Sequence, residues 1–174
     1  GLIKAAFQSG RATVREAVEQ HDLPGLEAAR ALSRLQDALI QVIYDFAVKH
    51  VYYAQNPTTA ERLAIVATGG YGRGELAPGS DIDLLFVRPF KQSAWGESVI
   101  EFILYMLWDL GLKVGHATRS LAECVRLAKQ DITIRTALLE ARFLWGDRAL
   151  YDQLRTSFWK EVATGNGQDF VEAK

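Results

Sequence analysis

A mixed α+β fold is what this sequence predicts, on three observations. Two short apolar runs of β type, Leu63-Ala64-Ile65-Val66-Ala67 and Ile82-Asp83-Leu84-Leu85-Phe86-Val87, flank a glycine-rich stretch. Longer stretches before and after them carry apolar residues at helical spacing. A composition of 49% hydrophobic and 24% charged residues over 174 positions suits a globular domain with one sizeable core. No internal repeat or low-complexity tract interrupts it.

Taken in chain order, residues 11–22 and 25–53 are predicted helices divided by Pro24-Gly25. The second places Leu26, Ala29, Leu32 or Ser33, Leu35 or Gln36, Leu39, Ile43, Phe46 and Ala47 on one side. Asn56-Pro57-Thr58-Thr59 ends it. Residues 62–68 form a strand, and 82–87 a second one stopped by Pro89. Residues 95–110 form an amphipathic helix with Val99, Phe102, Ile103, Met106, Leu107 and Leu110 inward, and Gly111 suits its C′ position. Leu112 to Ala117 is a third strand. Helices follow near 120–129, 131–144 and 147–162; Ser120 with Glu123 forms a capping box, and Asp131 starts a helix. The chain thus divides into an amino-terminal helical segment (1–57), a core (58–118) and the start of a helical domain (119–174).

A net charge of −1 gives no general basic patch for DNA or RNA. The one cysteine, Cys124, excludes an intramolecular disulfide, suits a reducing compartment such as the cytoplasm, and reads as a buried small hydrophobe. The apolar stretch 99–112 is interrupted by Glu101 and Asp109 and cannot span a bilayer, so no membrane partner is expected. Trp95, Trp108, Trp145 and Trp159 fall on separate predicted helices and fill core or interdomain gaps. His21 and His50 have no partner at metal-ligand spacing and carry no assigned function.

The chemistry concentrates in Gly69-Gly70-Tyr71-Gly72-Arg73-Gly74-Glu75-Leu76-Ala77-Pro78-Gly79-Ser80-Asp81-Ile82-Asp83-Leu84. Along a strand, side chains at i and i+2 share a face, so Asp81 and Asp83 point together while Ile82 and Leu84 enter a core. Two adjacent carboxylates repel and raise each other's pKa unless a cation lies between them. A hard cation such as Mg²⁺ takes one or two carboxylates plus nucleotide phosphates. Exposed backbone amides at Gly69 and Gly70 suit the phosphates. The glycines match neither a P-loop nor a Rossmann fingerprint, since Gly70, Gly72 and Gly74 are spaced G-x-G-x-G and no Gly-Lys-Ser/Thr follows.

This block resembles the nucleotidyltransferase signature of the DNA polymerase β-like superfamily: apolar strand, Gly-Gly, spacer, then Asp-x-Asp among apolar residues. The wider stretch is similar to the bifunctional uridylyltransferase/uridylyl-removing enzymes of the PII nitrogen-regulatory system. Leu107-Trp108-Asp109-Leu110-Gly111-Leu112-Lys113-Val114-Gly115-His116 and Ala137-Leu138-Leu139-Glu140-Ala141-Arg142-Phe143-Leu144-Trp145-Gly146-Asp147 resemble later blocks of that family. The resemblance implies a small, mixed, twisted sheet with the catalytic face at one end and helices from 120 onward that help close the cleft. It implies UTP as substrate, Mg²⁺ as cofactor, a tyrosine of the PII signal protein as acceptor, and glutamine as effector through HD and ACT domains. No counterpart of those domains stands in 1–174, so the chain is expected to be an amino-terminal fragment.

On that resemblance Asp81 and Asp83 are the catalytic metal ligands, and Gly69, Gly70, Arg73 and Ser80 bind the triphosphate. The plainer alternatives are an ion pair of Arg73 with Glu75 and a turn role for Ser80. The third carboxylate of many superfamily members has no obvious counterpart; its strand carries Gly115 and His116. His116 is a candidate general base or metal neighbour, with a hydrogen-bonded structural histidine as the alternative. Asp109 and Asp131 are weaker candidates. Arg135, Glu140 and Arg142 fall on a predicted helix, either lining the cleft or forming a paired, solvated face. No residue set stands out as a base pocket. The rival functions are an adenylyltransferase of the same superfamily and a nucleotide-sensing module without catalysis.

Overall fold

Strand β1 (Ala64–Thr68) shows no polar–apolar alternation because both of its faces are covered. The computed structural model, which describes residues 1–20 and 23–163, places it beside β2 (Ile82–Arg88) and β4 (Arg142–Gly146). With β3 (Val114–Ser120) these make one four-stranded sheet in the order β3-β2-β1-β4. β1 runs antiparallel to both neighbours, whereas β2 and β3 are parallel and are joined through the crossover helix α4 (Ala94–Asp109). The sheet is mixed, as the family resemblance implies. His21 and residues 164–174 lie outside the described residues.

Period-two alternation within each strand sends its side chains to two cores. Ile65, Ala67, Ile82, Leu84 and Phe86 meet α4 and the long helix α2 (Gly25–Phe46), with α1 (Leu2–Glu19) packed on α2. Ala64, Val66, Leu85 and Val87 meet α5 (Leu121–Gln130) and α7 (Arg148–Phe158) on the other side. Burying a side chain such as Ile103 or Phe86 fully contributes about 2 kcal/mol relative to exposure.

Helix ends are fixed by the chemistry the sequence carries. α4 closes in a Schellman turn: Gly111 adopts φ 78°, its N–H donates to Trp108 O, and the Leu112 N–H donates to Leu107 O. Ser120 and Glu123 form the expected capping box of α5. Asp131 caps α6 (Ile132–Leu139) by accepting from the Thr133 and Ile134 amides. Asp147 caps α7 and also takes the Arg62 guanidinium, Nε to Oδ2 at 2.5 Å. The Arg62 hydrogen bond, reinforced by the Leu150 amide, holds the Asp147 carboxyl below its ordinary range despite partial burial.

A depressed carboxyl stabilises the fold above its unfolded pKa, and that contribution disappears as pH falls through the folded value. Asp147→Ala should therefore cost about 1 kcal/mol or more at pH 7 by loss of the cap alone. The gap from wild type should be narrower at about pH 3, below the unfolded carboxyl value, because the contribution fades as pH falls toward the depressed folded value. Urea unfolding at the two pH values reads this; an equal gap at both would assign the loss to packing instead.

The structure corrects several expectations. Residues 131–144 are not one helix: α6 stops at Leu139 and β4 begins at Arg142. The stretch Leu138-Leu139-Glu140-Ala141-Arg142 has good helix propensity, but pairing with β1 overrides it. Trp145 consequently sits on β4, not on a helix, and Trp108, Trp145 and Trp159 are exposed rather than core-filling. Leu26 and Phe46, expected on the inner side of α2, are also exposed, and α1 starts at Leu2 rather than near residue 11. Cys124 is buried as expected, and burial pushes its thiol up to about 11.

Candidate active site

The β1–β2 connection begins as a single helical turn, α3 (Gly69–Gly72). Gly69 enters it at φ 62°, the left-handed region that glycine adopts without strain. Thr68 pairs with Asp83 across the antiparallel ladder, and Asp83 pairs with Gly115 on the parallel side. Asp83 thus stands between the glycine turn and the edge strand. A Cβ at Gly69 would fall 2.8 Å from its Oδ2, and a Cβ at Gly115 would fall 2.7 Å from its Oδ1. Two glycines leave a cradle that holds this carboxylate. Burial, with the neighbouring Asp81 charge, raises the Asp83 pKa, while Asp81 itself is exposed just before β2 begins.

Beside Asp83 opens a cleft of about 580 Å³. Its floor is the sheet face carrying Asp83, Leu85, Gly115, Ala117 and Arg119; its wall is α6, with Ile132, Thr133, Thr136 and Ala137. Glu140 closes one end and pairs with Arg73 at 2.9 Å. Gly72 packs against the Glu140 carbonyl oxygen, where a side chain would not fit. The glycine turn, Arg73 and α6 are therefore joined at one end of the cleft.

Of the residues singled out in the sequence, the structure gathers Asp83, Gly69 and Glu140 on the cleft, with Asp81, Gly70 and Arg73 next to them in the chain or bonded to its wall. Arg73 pairs with Glu140, not Glu75. Ser80 does not line this cleft; it is exposed in a turn, its N–H donating to Ala77 O, and borders a smaller cavity of about 150 Å³ beside Gln36 and Lys113. His116 borders the cleft, but its ring lies 6.1 Å from that of Trp108 on α4, on the opposite face of the sheet from Asp83. Asp109 ends α4, and Arg135 donates to the Ala128 and Lys129 carbonyls.

Arg142 lies on β4 rather than on a helix and forms a bidentate pair with Asp37 of α2, at 2.7 and 3.2 Å. The Tyr71 hydroxyl donates to the same carboxylate at 2.6 Å, and Arg142 also donates to Tyr71 O. Burial, with the Asp37 charge, raises the Tyr71 phenol far above its ordinary value, so it remains a donor. This buckle ties α2, the glycine turn and β4 together across 105 residues of chain. It accounts for Arg142 without the cleft.

Sequence reasoning missed Arg119, Thr133 and Thr136. The alternation Gly115-x-Ala117-x-Arg119 was the available signal: two small residues and a cation on one strand face.

Among the described residues no group of three or more His, Cys, Asp and Glu side chains converges as a metal site. What the site offers is two hard carboxylate oxygen donors and a glycine cradle around one of them. That set fits a cation such as Mg²⁺, which fills its remaining positions with water and substrate phosphates.

A family model described as GlnE, glutamate-ammonia ligase adenylyltransferase, matches residues 10–102, more than half of the chain. The chain belongs to that family. Within the wider resemblance, GlnE family membership is joined by close curated relatives, each named bifunctional uridylyltransferase/uridylyl-removing enzyme. The protein of Rhodospirillum rubrum is 53% identical over 173 residues, covering 99% of this chain and 18% of the relative. That of Novosphingobium aromaticivorans is 54% identical, covering 99% of this chain and 19% of the relative. That of Phenylobacterium zucineum is 54% identical, with 99% and 18% covered. The chain thus spans about a fifth of the length of these relatives. A crystal structure of a toxin-antitoxin with AMP-PNP is 15% identical, covers 64% of this chain and 86% of that one, and gives a TM-score of 0.40. The expected family resemblance is borne out. Among the described residues no helix is long and apolar enough to cross a membrane.

Proposed function

We propose that this chain is the transferase unit of a cytoplasmic enzyme that moves UMP from UTP to a tyrosine of the PII signal protein. The observation that carries this is the Asp81–Asp83 pair, with Asp83 cradled by Gly69 and Gly115 at the mouth of a cleft large enough for a nucleotide. Asp81 and Asp83 would hold Mg²⁺, which when bound offsets charge on the phosphates. The turn amides of Gly69 and Gly70 would bind terminal phosphate oxygens, and Arg73 would join them by exchanging Glu140 for phosphate. The tyrosine hydroxyl oxygen attacks the α-phosphorus as its proton passes to water, the bond from the α-phosphorus to the bridging β-phosphate oxygen breaks, and pyrophosphate leaves. Ser80 and His116 have no step in this scheme, since neither side chain is brought to the Asp83 face. Glutamine would act on this reaction through other domains.

The adenylyltransferase description of the family makes the base the point to test. PII incubated with the protein, Mg²⁺ and either UTP or ATP should gain UMP, and not AMP, on a tyrosine, read by mass spectrometry. An AMP adduct would assign adenylyl transfer. No adduct, together with no Mg²⁺-dependent triphosphate binding, would sink the transferase reading.

A further inference from the structure

Arg119 is the cation on the cleft floor that neither the carboxylates nor the glycine turn uses. It stands on β3 opposite Val87, four residues beyond the Gly115–Asp83 pair, about 13 Å along the strand. The charge that acts on Asp83 is that of Asp81; the Arg119 guanidinium is not among its influences. Arg119 forms no ion pair or hydrogen bond among the described residues, although the cleft brings it within the same space as Asp83. Between them the floor is apolar and low, made by Leu85 and Ala117, and faced by the wall of α6. Phosphate chemistry is concentrated at the Gly69 end, where Arg73 already supplies a cation.

We infer that the nucleobase lies on the Leu85–Ala117 floor and that Arg119 is a specificity residue reading its carbonyl edge. This rests on the proposed transferase reading for the position of the phosphates. A flat slot with apolar floor suits a planar ring, and a guanidinium fixes which ring. Arg presents five N–H donors and no acceptor. It rewards a base whose edge offers carbonyl oxygens, such as uracil, and meets an amino group on adenine donor against donor. A site built on such hydrogen bonds rejects the base lacking the matching group, because the buried donor is then left unpaired. Thr133 on the wall can donate or accept and does not discriminate in this way, and the Thr136 hydroxyl is already engaged, donating to Ile132 O at 2.8 Å.

The test is calorimetric titration of the protein with Mg²⁺ and UTP, ATP or inorganic tripolyphosphate. Wild type should bind UTP about tenfold or more tightly than ATP, the effect of one charged hydrogen bond. Arg119→Met, which keeps the apolar stem, should remove most of that ratio while leaving ATP and tripolyphosphate affinities nearly unchanged. Should that variant fold poorly in a melting scan, Arg119→Lys keeps charge and stem but loses the planar fork, and should also lower the ratio. An equal loss for all three ligands would make Arg119 a phosphate ligand and overturn the inference. So would a wild type that binds UTP no better than ATP, or a variant that keeps the full ratio. Failure of tripolyphosphate to bind wild type would overturn the reading of the glycine turn and carboxylates instead; a preference for uridine over adenosine, lost in Arg119→Met, would then still uphold Arg119.

Discussion

Asp83→Asn should lower the proposed UMP transfer by about a thousandfold or more while slightly raising the melting temperature of the metal-free protein. The two effects have one cause. The Asp83 carboxylate is partly buried, has Asp81 as its charged neighbour, and is cradled by two glycines that add no donor side chain. Without a cation this arrangement is repulsive, and replacing one charge by an amide of the same shape relieves it. A gain of about 0.5 kcal/mol corresponds to about 1–2 °C for a domain of this size. In the proposed metal-bound state the same charge would be needed, and its loss would remove several kcal/mol of transition-state stabilisation. Asp81→Asn should act in the same direction but raise stability less, since Asp81 is exposed. Differential scanning fluorimetry with and without Mg²⁺, alongside the transfer assay, reads both arms. Transfer near the wild-type rate in Asp83→Asn would remove it from the site, and a clear drop in metal-free stability would show that its charge is structural.

Much of this centre was legible because its parts are local in sequence. The strand Ala64–Thr68, the glycine turn and the Asp-x-Asp entry to β2 form one continuous stretch, and the period-two rule orients Asp83 without knowledge of the rest of the fold. The caps at Ser120 and Asp131 and the glycine stop after α4 were legible for the same reason. β4 was not, because a strand bearing Arg142, Phe143 and Leu144 between two helices has no alternation and borrows its conformation from β1. Arg142 could not be placed until β4 was, and its partner Asp37 lies on a distant helix. Arg119 shares a face with Asp83 through the parallel β2–β3 register alone, which a single sequence does not reveal. His116 failed as a neighbour of Asp83 for the complementary reason: one residue along the same strand is the opposite face of the sheet.

Alanine substituted in turn at Gly69, Gly70 and Gly72 should separate three functions that the sequence presents as one motif. Gly72→Ala should be the most damaging to stability, by about 3 kcal/mol. Its new methyl meets the Glu140 backbone carbonyl and lies 3.0 Å from Ala67 O, so β1 and the α6–β4 junction must move apart. Neither neighbour is a flexible side-chain end that can swing away. Gly69→Ala should cost less in folding, about 1 kcal/mol for a left-handed residue with a Cβ. Its methyl is aimed at the Asp83 carboxylate, 2.8 Å from Oδ2, and that side chain can rotate. The rotation that relieves the clash takes the carboxylate out of its cradle, so activity should fall far more than stability. Gly70→Ala should be the mildest, because its Cβ finds ordinary contacts at 3.4 Å from Glu75 O and 3.5 Å from the Arg73 guanidinium. Urea unfolding should therefore rank the variants Gly72, Gly69, Gly70 from most to least destabilised. Transfer normalised to folded protein should instead single out Gly69. If Gly70→Ala lost as much normalised activity as Gly69→Ala, the amide turn rather than the Asp83 cradle would be what the glycine pair protects.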